Sequence, residues 1–181
     1  MTETNIISRY HARRADRFLT NERKFSTMLP SWRSQRRRRI LVIGVAASLV
    51  FAFAVSVVCA FGVVWAPLLW LVACVWFLPS WTMLQIVSGR QGDAPTETLD
   101  EWEVQQRNSA RSIGLTVTQT LVLIPAFYLI FGAEFTGGED ESMAYAGGLM
   151  VVATLLMGGC TPAMILGWTR PDPDSDDAQV G

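Results

Sequence analysis

The chain has 181 residues, half of them hydrophobic, with 15 basic against 16 acidic side chains. Those totals fit a soluble protein, but their distribution does not: residues 40–89 carry no charged side chain, and neither do 112–133 or 142–169. A water-soluble core of this size cannot hide three such blocks, which excludes disordered, collagen-like, disulfide-scaffold and ordinary globular classes and leaves an all-α polytopic membrane protein.

The first element is a basic cytoplasmic arm, residues 1–39, with eleven bases and three acids. Arg33, Arg36, Arg37, Arg38 and Arg39 abut the first apolar block. Each juxtamembrane base adds about 1 kcal/mol of attraction to anionic lipid, so these five are expected against inner-leaflet headgroups. An arginine-rich arm also suits nucleic acid, but here it adjoins a span and orientation accounts for it, so no nucleic-acid partner is expected. Residues 5–29 place Ile6, Ile7, Tyr10, Phe18 and Phe25 where a surface helix would use them, with Arg14 interrupting that face. The arm is too long for a signal peptide, so the first apolar segment is expected to stay as an anchor.

A helix crossing the hydrocarbon layer needs about 20 apolar residues. The sequence predicts four: 40–64, 67–88, 112–133 and 144–168, together a four-helix transmembrane bundle over 40–168. Trp65, Ala66 and Pro67 mark the first turn, since proline suits the start of a helix. A cytoplasmic loop (89–111), an outer loop (134–143) and an acidic tail (169–181) complete the chain. Four spans place all fifteen bases on one side, and residues 134–141 opposite hold four acids and no base. The positive-inside rule then puts both termini in the cytoplasm of a multi-pass cell-membrane protein. The tail, rich in aspartate and broken by proline, is expected to be disordered.

Within the central loop, Thr98 and Glu101 fit a capping box. It predicts a helix from Leu99 running into the third span, with Glu103 and Arg107 one turn apart. The stretch Asp93, Ala94, Pro95, Leu99, Asp100, Glu101, Glu103 and Arg107, taken with four spans and a basic arm, resembles small uncharacterised four-span membrane proteins of high-GC bacteria. That resemblance implies the class of protein and no activity.

The chemistry inventory is sparse. The single histidine, His11, lies in the arm, and no span contains Asp, Glu, Lys or Arg. Intramembrane haem or metal ligation, catalytic Ser–His or Cys–His pairs and buried proton relays lack their residues. No cofactor, metal or catalytic residue is expected. Cys59, Cys74 and Cys160 read as small apolar residues, although Cys59 and Cys74 flank the first turn at similar distance and could pair.

What remains is packing. Gly44, Ser48, Ala52, Ser56 and Ala60 recur every four positions in the first span, as do Gly159, Ala163 and Gly167 in the fourth. Such rows let helices approach closely in lipid. Pro79, Pro125 and Pro162 fall inside spans and predict kinks. Counting about 1.5 Å per residue puts Thr82, Gln119 and Thr161 roughly 10 Å below the cytoplasmic ends, which predicts an inward-facing polar layer. By elimination the function read from the sequence is non-enzymatic: an accessory, assembly or scaffold subunit of a membrane complex, or a regulator acting through the cytoplasmic arm and loop, its partner a membrane protein or a second copy. The alternative is a transport or lipid-binding protein with a cavity between proline-kinked helices.

Overall fold

The computed structural model describes residues 32, 34–88, 100–137 and 140–170. Those residues form four long helices: α1 (Gln35–Cys59), α2 (Ala66–Val87), α3 (Glu101–Thr136) and α4 (Glu141–Thr169). All four are long and apolar enough to cross a membrane. The surface-helix reading of 5–29, the Thr98 cap and the tail lie outside the described residues, and so does Arg33.

Helix ends depart from the apolar blocks in instructive ways. α1 begins at Gln35, so Arg36, Arg37, Arg38 and Arg39 belong to the helix rather than to the arm before it. It stops at Cys59, five residues short of the predicted end, because Gly62 takes a left-handed backbone (φ 70°). The amides of Ala60, Phe61 and Gly62 tighten onto carbonyls three residues back at 3.1 Å. Glycine alone adopts that conformation without a Cβ penalty. Pro67 then sits in the first turn of α2, where a missing N–H costs nothing.

α3 runs unbroken for 36 residues, about 54 Å at the usual rise, so it extends well beyond a hydrocarbon layer of about 30 Å. Its capping box uses Asp100 and Glu103, two residues later than the sequence predicts, with the Asp100 amide donating to Glu103 Oε2 at 3.3 Å. Gly137 (φ 64°) closes α3. Asp140 opens α4, its Oδ1 accepting from the Ser142 amide at 2.9 Å and the Met143 amide at 3.3 Å. The expected outer loop of 134–143 therefore shrinks to the few residues between Thr136 and Glu141.

The helices pack in the order α2, α1, α4, α3, with α2 also touching α4 lightly. Among the described residues the bundle is thus open along α2 and α3, and the inner helices are the buried ones: 44% and 39% of the most apolar stretches of α1 and α4, against 11% in each outer helix. One apolar cluster joins Leu41, Val42, Val45 and Leu49 to Leu84, Val87 and Cys160 near the start of α1. A second joins Val55 and Cys59 to Ala66, Ala146 and Met150 at the opposite end.

Candidate functional site

The most concentrated chemistry lies where the start of α1 meets the ends of α2 and α4. Arg38 is only 2% exposed. Its Nη2 donates to the Arg170 carbonyl at 2.7 Å, just past the last turn of α4. Arg170 in turn sends Nη1 to the Ser88 carbonyl at 2.9 Å, just past the last turn of α2. From α3, Gln106 Nε2 donates to Thr169 Oγ1 at 3.1 Å, and the neighbouring Arg107 is buried. All four helices are thereby tied at one end.

The physical cause is the helix terminus. The last carbonyls of a helix have no intrahelical donor and carry the negative end of the macrodipole. Neither α2 nor α4 has a base in its final turn. Arginines from α1 and from the residue after α4 supply the missing positive donors, in charge-assisted bonds stronger than neutral ones.

This corrects one expectation about the lipid-facing arginines. Arg38 is not in headgroups. It stands three, four and seven residues before Leu41, Val42 and Val45, so it shares their buried face. Arg36, Arg37 and Arg39 are exposed. Arg37 lies over the Trp32 ring at 5.6 Å, and Arg39 over Trp168 at 4.9 Å.

The small row of α1 does face a neighbour. Ser48, Ala52 and Ser56 are buried and Gly44 and Ala60 half-buried. A side chain at Gly44 would meet Trp76 and Ser80 of α2 at 3.8 Å. Trp70 of α2 donates its indole N–H to Ser56 Oγ at 3.0 Å, while that hydroxyl donates to the Ala52 carbonyl.

The α4 row is different. Ala163 is buried and Gly167 approaches Leu84 and Val42, but Gly159 is exposed with open space around it. The close α4 contacts lie elsewhere and were not read from the sequence: Gly147, twelve residues before Gly159, against Leu129, and Gly158, one residue off the row, against Thr118 of α3. Gly114 reciprocates. A Cβ there would lie 2.7 Å from the Pro162 ring and 3.1 Å from the Gly158 carbonyl. Pro162 lacks the amide that would bond that carbonyl. Without a Cβ, Gly114 leaves room there for α3 to approach α4 closely. The signal was a mixed spacing, Gly147, Thr154 and Gly158, rather than a strict step of four.

The inward polar layer is not formed within the chain. Thr82 and Gln119 are exposed. Thr82 and Thr161 return their hydroxyls to Leu78 and Met157 of their own helices, each at 2.7 Å. Pro79 is exposed, Pro125 buried and Pro162 half-buried, and each helix continues through its proline.

Two apolar grooves open on the outer surface. One, about 220 Å³, lies between α1 and α2 beside Ala47, Ser48, Phe51 and Trp76. The other, about 430 Å³, lies between α1 and α4. Cys59, Cys74 and Cys160 are free thiols, and among the described residues no three His, Cys, Asp or Glu side chains come together. Comparison with known protein families, with curated proteins and with solved structures finds no match to this chain.

Proposed function

We propose that the chain is a non-enzymatic protein of the cytoplasmic membrane, both termini inside, which serves as an accessory or scaffold subunit by presenting α3 to a helix of another subunit. The observation that carries this reading is the outward polar stripe of α3. Ser112, Thr116 and Gln119 are exposed. At roughly 100° per residue they fall opposite Arg107, Ala110, Gly114 and Pro125, the line α3 buries.

Thr116 satisfies its hydroxyl on the Ser112 carbonyl at 3.1 Å. Gln119 has no hydrogen-bond partner among the described residues. An amide roughly 10 Å inside hydrocarbon finds no partner in lipid either. A neighbouring helix with a polar group at that depth satisfies it, adding about 0.6 kcal/mol on average. Orientation rests on the fifteen bases falling on one side of a four-span threading. The cavity reading places its site between proline-kinked helices, and neither groove is lined by Pro79, Pro125 or Pro162.

The test uses a chain with Cys59, Cys74 and Cys160 replaced and a single Gln119→Cys carrying a photoactivatable thiol reagent in native membranes. A discrete adduct is expected from position 119, weakened by Thr116→Leu, and none from Val152→Cys on the exposed side of α4. No adduct from position 119, or equal adducts from both positions, overturns the reading.

A further inference from the structure

The groove between α1 and α4 has the parts of a phospholipid site. Its walls are Val42 and Ala46 of α1 and Thr161, Met164, Ile165, Trp168 and Thr169 of α4. The two threonines do not make it polar. Thr161 donates to the Met157 carbonyl, and Thr169 donates to the Ile165 carbonyl while accepting from Gln106. The groove begins at the arginine-rich end of the bundle and reaches inward to Ala46 and Thr161. That is seven residues from Arg39, or about 10 Å along the helix.

At its mouth the Arg39 guanidinium lies 4.9 Å over the Trp168 ring. Arg39 falls three and seven residues before Val42 and Ala46, on the groove's own face of α1. Among the described residues it has no carboxylate partner. A guanidinium held over an indole face keeps a fork of N–H donors suited to a bidentate phosphate contact.

We infer that this groove binds one anionic phospholipid, with the phosphate on Arg39 above Trp168 and an acyl chain along Val42, Ala46 and Ile165. The inference rests on the membrane placement of the chain but not on the α3 face. A phosphate alone lacks the apolar groove, and a zwitterionic lipid carries a positive group that Arg39 repels. Charge complementarity and groove depth therefore select the same ligand class.

Full-length protein in mild detergent is titrated with phosphatidylglycerol, with phosphatidylcholine of the same chains, and with soluble glycerol phosphate, and bound molecules are counted by native mass spectrometry. Phosphatidylglycerol is expected to bind about fivefold more tightly than phosphatidylcholine, the effect of one surface charge. Arg39→Gln removes that preference. Ala46→Phe, which fills the groove, weakens both lipids. Arg111→Gln, an exposed charge on α3 outside the groove lining, leaves the preference in place.

Arg39 is exposed, so its loss does not threaten folding, and circular dichroism confirms that Ala46→Phe is folded before its titration is read. An unfolded Ala46→Phe is replaced by Ile165→Ala, which removes one wall. Three results overturn the inference: equal binding of the two lipids by the unaltered chain, an unchanged preference in Arg39→Gln, or glycerol phosphate binding as tightly as the lipid.

Discussion

Replacing Arg38 by methionine tests whether the tie between helix ends holds the bundle together. Methionine keeps much of the unbranched stem and removes the guanidinium. The Arg170 carbonyl then loses a charged donor that sits 2.7 Å away in a site where Arg38 is 2% exposed. Hydrogen bonds to charged groups contribute about 1.5–3 kcal/mol. For a chain of this size each kcal/mol moves the unfolding midpoint by about 2–4 °C, so a fall of roughly 3–12 °C is expected. Tryptophan fluorescence during heating in mild detergent reads it. Arg36→Met, at an exposed position of the same turn, is expected to change the midpoint by less than about 2 °C. Equal midpoints for Arg38→Met and Arg36→Met would show that the buried guanidinium contributes no more than a surface charge, and the cap argument would fail.

Three further outcomes follow from the same geometry. Single cysteines in a background without the native three are expected to react with an impermeant thiol reagent at position 138 and not at 31, 92 or 175, and external labelling at 175 would falsify the four-span threading. Ala52→Leu, at 4% exposure on the face of α1 toward α2, should destabilise by about 1–3 kcal/mol through overpacking, whereas Val50→Leu at 62% exposure should be nearly silent in the same melt. Hydrogen bonds from the Ser142 side chain, then from the Met143 and Ser142 amides, hold the Asp140 carboxyl below the usual carboxylate range. Its stabilising effect is therefore present above the unfolded value near 4 and lost as pH falls through the lower folded value. Asp140→Asn, which caps without titrating, should lose less stability between pH 6 and pH 2.5 than the unaltered chain. An identical acid loss in both proteins would show that Asp140 is not the group responsible.

The count of long apolar helices was legible because charge is absent over whole blocks, a signal no local preference can mask. Their ends were less so. Apolarity marks where lipid begins and not where hydrogen bonding begins, so α1 starts within the arginine run and α3 some ten residues before its uncharged stretch. The box that the structure forms, Asp100 with Glu103, satisfies the same spacing as the expected Thr98 with Glu101, so spacing alone does not rank them. Depth counting gives Gln119 a height along its helix and says nothing of its direction around it. The facing of α3 is set by Gly114, Thr118 and Pro125, which seat it on α4 and turn Gln119 outward. A strict step of four found the α1 seam yet passed over Gly158, whose interface follows the coarser drift of two helices crossing.

The charged residues sort by helix end as much as by side of the bundle. The first turn of α1 holds no acid and several arginines, against the preference of a helix N-terminus for negative charge. Antiparallel packing supplies the reason, since α1 begins beside the carbonyl ends of α2 and α4, and Arg38 and Arg170 spend their charge there. Acids occupy the N-termini that project away from those ends: Asp100, Glu101 and Glu103 on the overhang of α3, and Asp140 and Glu141 at the far end of α4. One arginine run can thus serve two purposes at a single depth. Arg38 turns inward to close the bundle, and Arg39, one residue on, turns outward over Trp168 to the groove where a lipid phosphate fits.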